Sequence, residues 1–124
     1  MVCVDKDPAK IEMLERGEVP IFEPGLDRLL EKNVEAGRLS FTGDLAKAVD
    51  GADAVFIAVG TPTRRGDGHA DLTYVMSAAE EVARALTGYA VIVTKSTVPV
   101  GTNRKVKQTV SKANPAAEFD VASN

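Results

Sequence analysis

The sequence predicts an α/β fold built on a parallel, layered sheet, and three observations lead there. Short apolar runs alternate with stretches of helical periodicity along all 124 residues. Such alternation favours parallel strands joined by right-handed helical crossovers. The most apolar runs, Ala54–Val59 and Ala90–Thr94, are continuous rather than alternating, as expected of strands covered on both faces. Finally, helix start and stop signals fall between the runs, as Asp7-Pro8 and Gly17 do around the first helix.

In chain order, Val2–Val4 reads as a short buried strand. Asp7 offers an N-cap, Pro8 suits the first helical position, and Gly17 follows as a C-terminal stop. The stretch EVPIFEP over residues 18–24 is a loop, because prolines interrupt it. Leu26, Leu29, Leu30 and Val34 recur at helical spacing and predict a second amphipathic helix, closed by Gly37. Residues 38–42 form a strand candidate. Asp44 can cap a brief helix carrying Leu45, Ala48 and Val49. After the strand at 54–59, Asp71 can cap the longest helix, with its stripe of Leu72, Val75, Met76, Ala79, Val82, Ala83 and Leu86. The strand at 90–94, a helix from about Thr102 to Ala113 and a last strand at 119–122 complete the order.

The length suits one domain. A net charge of −3 argues against a nucleic-acid groove or a basic membrane-binding face. No apolar run approaches the roughly 20 residues a membrane helix needs, and no signal peptide is evident. Cys3 is the sole cysteine and lies in the first apolar run, so it reads as a small hydrophobe rather than a nucleophile. A reducing, cytoplasmic setting follows as the expectation. No His, Cys, Asp or Glu cluster has metal-ligand spacing, and no metal is expected.

In a doubly wound sheet, ligands bind beyond the carboxyl ends of the strands. Asp5 stands at such an end. Its carboxylate suits the hydroxyl pair of an adenosine ribose, and equally suits a helix cap. An acid in the ribose role normally follows a glycine fingerprint by roughly 20 residues. The chain holds no G-x-G-x-x-G and no Walker A loop. Val59-Gly60-Thr61-Pro62-Thr63 forms the next strand end, with a glycine for close backbone approach, a stiffening proline and two hydroxyls. An ordinary turn would use the same residues. Lys95-Ser96-Thr97 forms the third, ahead of a helix start, where hydroxyls can meet an anion or orient water or can satisfy the loop backbone. Lys10 lies one turn into the first helix and could reach the adenosine end of a cofactor. His69, the sole histidine, has no partner acid at a recognisable spacing and reads as a surface residue.

These segments together resemble the amino-terminal domain of the UDP-glucose/GDP-mannose dehydrogenase family. The resemblance is carried by VCVDKDPAKIEMLERGEVPIFEPGLDRLLEKNVEAGRLSFTGDL, ADAVFIAVGTPTRRGDGHADLTYV, VIVTKSTVPVGT and FDVASN, in the family's order and over nearly the whole chain. It implies a Rossmann-like doubly wound parallel sheet lacking its first strand, glycine loop and first helix. Residues 1–124 would then be a partial NAD-binding domain, without the central helix, the nucleophilic cysteine and the UDP-sugar domain. After Ser123-Asn124 the family continues with a proline and a catalytic glutamate.

The implied activity is NAD-dependent oxidation of the C6 alcohol of UDP-glucose to UDP-glucuronate, using two NAD+ and a cysteine-bound intermediate. GDP-mannose and UDP-N-acetylmannosamine are the alternative substrates. By position, Asp5 resembles the ribose-binding acid and Lys10 its basic neighbour. Val59, Gly60, Thr61, Pro62 and Thr63 resemble the loop along the cofactor. Ser96 and Thr97 resemble the residues beside the nicotinamide, with Thr97 similar to the threonine that positions the catalytic water. Cys3 does not match the nucleophile's motif. Without the phosphate loop, the chain by itself is expected to bind NAD weakly and to be inactive. Its open sheet edges are expected to close by direct pairing, strand exchange or homodimerisation. The competing reading is a non-catalytic remnant that only folds or self-associates.

Overall fold

The computed structural model describes residues 1–124, which divide into two compact units, Met1–Ala48 and Val49–Asn124. The first unit holds β1 (Val2–Val4), α1 (Pro8–Glu15), α2 (Leu26–Glu35) and β2 (Ser40–Thr42). The short α3 (Leu45–Val49) spans the boundary in the chain. The second unit holds β3 (Ala54–Ile57), α4 (Thr73–Ala85), β4 (Ala90–Thr94), α5 (Thr102–Ala113) and β5 (Phe119–Ser123). All pairings between strands are parallel, as the alternation of strand and helix requires.

In the first unit, β1 pairs with β2 in the register Val2↔Ser40, Cys3↔Phe41 and Val4↔Thr42. The ladder runs one residue further at its carboxyl end, where the Asp5 amide donates to the Thr42 carbonyl at 3.3 Å. The α1 start matches its sequence signal: Asp7 accepts from the Ala9 amide at 3.0 Å, and Pro8 takes the first helical position. Gly37 closes α2 with φ at +72°, a left-handed conformation that lets the Arg38 amide reach back to the Asn33 carbonyl at 2.9 Å. This unit buries little. Ile11 and Leu39 form its core, while the apolar stripe of α2 stays largely outside, with Leu29 56% exposed.

The second unit has strand order β3-β4-β5. Its central strand β4 is buried at every residue but Val91, which is half-buried. Helices α4 and α5 pack on each other, and Val75, Ala79, Val82, Ala83, Ile92, Val106 and Val110 are almost wholly excluded from solvent. Burying each of the larger of these side chains contributes roughly 1.5–3 kcal/mol. The Asn114 side chain ties the end of α5 to α4, donating to the Ala83 carbonyl at 2.8 Å.

Two sequence expectations need correction. The run Ala54–Val59 was expected to be one strand covered on both faces. The strand ends at Ile57, and Phe56 is 58% exposed while Ile57 is buried. As an edge strand with α4 against it, β3 has a covered face bearing Val55 and Ile57 and an open face bearing Ala54 and Phe56. Likewise, α4 starts at Thr73 rather than directly after Asp71. Asp71 still holds the first helical amide, accepting from Thr73 N at 2.9 Å, and hydrogen bonds from Thr73 keep its carboxyl below the usual range.

The first unit thus carries a two-stranded sheet, β1-β2, and the second a three-stranded one, β3-β4-β5.

Candidate functional site

The strand-end residues fall into two groups, one in each unit. In the first unit, Asp5 leaves β1 with its backbone fixed by Thr42, and its carboxylate is fixed as well. One oxygen accepts from the Asp7 amide at 2.9 Å, and the other lies 3.5 Å from the Lys10 ammonium. Between ribose acid and helix cap, the geometry assigns the cap to Asp7, whose own carboxylate holds the Ala9 amide. Asp5 is therefore a positioned acceptor with 37% of its side chain exposed. An exposed ion pair of this kind contributes at most about 1 kcal/mol to stability, so its main consequence is orientation. An acceptor-only carboxylate with one oxygen open beside a lysine fits a ribose diol, which presents two donors.

In the second unit, the segment after β3 and the segment after β4 are stitched together. The Lys95 amide donates to the Ile57 carbonyl at 2.9 Å, and the Ser96 hydroxyl donates to the Val59 carbonyl at 2.7 Å. A longer bond, 3.4 Å, runs from the Thr61 hydroxyl to the Thr97 carbonyl. Ser96 is half-buried and Thr97 is exposed. Because the Ser96 hydrogen is committed to Val59, its oxygen faces any ligand only as an acceptor. The contact of Thr97 is through its carbonyl and does not engage its hydroxyl. Gly60 is exposed, and a Cβ there would meet nothing within 4 Å, so no contact within the chain demands a glycine at this position. Pro62 and Thr63 lead into a hairpin. The Pro62 carbonyl accepts from the Asp71 amide at 2.7 Å, and Thr63 bridges to Ala70 in antiparallel fashion.

That hairpin corrects the reading of His69 as partnerless. Asp67 is its partner: it accepts from the His69 amide at 3.0 Å, lies 3.5 Å from Nδ1 and pairs with Arg64 at 2.8 Å. The His69 amide, followed by the Arg64 charge, holds the Asp67 carboxyl below the ordinary aspartate range. All three side chains are substantially exposed, so the group braces a hairpin tip rather than forming a buried acid–base pair.

Sequence reasoning missed a polar network at the carboxyl ends of β4 and β5. The buried Thr94 hydroxyl donates to Asn103 Oδ1 at 2.8 Å, and Asn103 Nδ2 donates to Ser123 Oγ at 2.6 Å. Lys95, read only as positive charge, donates to Asn124 Oδ1 at 3.0 Å. No spacing rule marks these residues, although each polar side chain sits at a strand end or on the first turn of α5. A cavity of about 240 Å³ opens beside them, lined by Val98–Asn103 and Ser123. Burial pushes the Cys3 thiol up, the opposite of activation. No group of three or more His, Cys, Asp or Glu could hold a metal ion, and no helix is long and apolar enough to cross a membrane.

Comparison with known proteins agrees with this geometry. Residues 1–124 match the NAD binding domain of the UDP-glucose/GDP-mannose dehydrogenase family. Over its whole length the chain is 60% identical to a UDP-glucose 6-dehydrogenase of Rhizobium meliloti, of which it spans 28%. It is 51% identical to the UDP-glucose 6-dehydrogenase TuaD of Bacillus subtilis, of which it spans 27%. The fold superposes on a UDP-glucose dehydrogenase from Pyrobaculum islandicum with a TM-score of 0.93 at 42% identity, covering 99% of this chain and 29% of that one. A GDP-mannose dehydrogenase from Pseudomonas aeruginosa gives 0.93 at 35% identity, covering 99% of this chain and 30% of that one. The sequence-predicted Rossmann-like class is therefore the fold observed.

Proposed function

The chain belongs to the UDP-glucose/GDP-mannose dehydrogenase family, and from that premise we propose that it serves as part of the NAD-binding domain of an enzyme oxidising UDP-glucose to UDP-glucuronate. The observation that carries the substrate is the 60% identity to a UDP-glucose 6-dehydrogenase across every residue of the chain. GDP-mannose and UDP-N-acetylmannosamine are the substrates to compare, since solved enzymes for both superpose on this fold.

In this proposal Asp5 accepts from the adenosine ribose hydroxyls, and its charge disfavours a 2′-phosphate. Lys10 stands beside the carboxylate oxygen that meets the diol, and the Asp7 amide holds the other. The Val59–Thr63 segment offers backbone and the Thr61 hydroxyl along the cofactor. Ser96 accepts from a donor at the nicotinamide end, because its own hydrogen is spent on Val59. The Thr97 hydroxyl orients the water that hydrolyses the cysteine-bound thioester after the second oxidation, releasing the carboxylate and the thiol, a role that needs a hydrogen-bonding group and not a strong base. NAD, when bound, supplies the hydride acceptor. The sugar site and the nucleophile belong to the rest of the protein, the work is cytoplasmic, and the assembly is a homodimer.

The test is a steady-state assay of the protein containing this segment, with NAD and each of the three nucleotide sugars. Two NADH per UDP-glucose, with the highest kcat/KM for that sugar, is the expected result. Preference for GDP-mannose or UDP-N-acetylmannosamine would replace the substrate assignment, and no NADH with any sugar would remove the enzymatic reading. Calorimetry on residues 1–124 alone is expected to show weak NAD binding or none, and tight binding would contradict that.

A further inference from the structure

We infer that Asn103, which the dehydrogenase reading leaves unused, is a positioning residue that closes the neck of the loop presenting Thr97. The loop leaves β4 after Thr94 and returns as α5. Gly101, at the start of α5, has a left-handed φ of +91° and no side chain to cap the helix. The next two side chains tie the helix start to its surroundings instead. Thr102, 2% exposed, donates both its hydroxyl and its amide to the Pro99 carbonyl, at 2.7 and 3.2 Å. Asn103 bonds across the neck with one planar amide. Its oxygen accepts from the hydroxyl of Thr94, the last residue of β4, and its nitrogen donates to the hydroxyl of Ser123, the last residue of β5.

The burial of Thr94, 1% exposed, gives the contact its force. A buried hydroxyl needs a partner, and after Asn103 the nearest oxygens are Ala122 O at 3.3 Å and Ser123 Oγ at 3.4 Å. Without Asn103, Thr94 turns toward β5 and the two ends of the loop are no longer joined by a side chain. The front of the loop keeps its bonds through Ser96 and Thr97, so it persists with a less defined path. Positioning of a water by Thr97 is sensitive to such a shift. Cofactor affinity through Asp5 is not.

The inference rests on the proposed role of Thr97, and the test separates the two. In the full protein, Asn103→Leu and Thr94→Val are expected to lower kcat about 10- to 100-fold, with KM for NAD within about twofold of wild type. Asn103→Asp is expected to stay within about twofold of wild type, since a carboxylate accepts from Thr94 and, after the hydroxyl rotates, from Ser123. Wild-type kcat in Asn103→Leu, or equal damage from the Asp and Leu variants, would overturn the inference. If Asn103→Leu does not fold, Thr94→Val decides by the same criteria. If the wild-type protein oxidises no nucleotide sugar, the function fails and amide exchange judges the neck: faster exchange at Lys95 and Thr102 in Thr94→Val supports it, unchanged exchange refutes it.

Discussion

Ser96→Ala separates a brace from a ligand. The Ser96 hydroxyl lies 2.7 Å from the Val59 carbonyl in a half-buried setting. A neutral hydrogen bond of this kind contributes about 1 kcal/mol net, approaching ~2 kcal/mol where the abandoned carbonyl finds no water. For a domain of this size, 1 kcal/mol lowers the melting midpoint by about 4 °C. The other side-chain bond between the two strand-end segments, from Thr61 to Thr97, is 3.4 Å long and too weak to hold them alone. The substitution is therefore expected to lower the midpoint and to raise KM for NAD together, and Ser96→Thr, which keeps the hydroxyl, to restore both. Thermal melts followed by circular dichroism, run beside steady-state kinetics on the full protein, provide the two readouts. An unchanged midpoint with only KM altered would refute the brace and make Ser96 a direct ligand alone.

Two further outcomes are expected. Asp5→Asn keeps an acceptor for the Asp7 amide but loses the Lys10 pair and half of its acceptor capacity. KM for NAD should rise about tenfold, which is ~1.4 kcal/mol, and discrimination against NADP should narrow; unchanged kinetics for both cofactors would contradict the ribose role. Asp67 carries a depressed pKa in the fold, so its contribution to the hairpin is present above the unfolded aspartate value of about 3.9 and is lost as pH falls through its lower folded value. Carbon-detected NMR titration should place the Asp67 midpoint below that of a free aspartate, with the His69 amide shift following it, and a midpoint at or above about 4 would count against the bracing contact.

The elements were legible in the sequence wherever local chemistry decides them. Asp7-Pro8 starts α1 and Gly37 ends α2 because caps act on neighbouring residues. The strand at 90–94 stood out because β4 is central and buried, so nearly every position is apolar. The run at 54–59 misled for the same reason in reverse. Its composition suits two-sided burial, but the pairing leaves it at an edge of β3-β4-β5, where Ala54 and Phe56 lie open. Composition reports what a segment can bury, and pairing decides what it does bury. The candidate site divides along the same line. Asp5, Ser96 and Thr97 stand out as candidates because they follow strands, whereas Asn103 meets Thr94 and Ser123, residues 9 and 20 positions away. No local pattern records such a contact.

Three of the polar contacts near the strand ends share one direction. Ser96, Thr61 and Thr102 all donate hydroxyl hydrogens to backbone carbonyls of loops. Carbonyls that leave a sheet at its carboxyl end have lost their ladder partners and must be met by something. Meeting them with short hydroxyl side chains fixes the backbone, and the half-buried Ser96 and Thr61 keep an oxygen that can still accept. The surface so formed in the second unit therefore offers acceptors and an exposed threonine, with Lys95 tied to Asn124 at its side. A site of that character suits a ligand bearing amide or hydroxyl donors and does little for a bare phosphate. Among the amides at the start of α5, that of Thr102 is taken up by the Pro99 carbonyl. Weak NAD binding by residues 1–124 is the outcome that the missing glycine fingerprint leads us to expect.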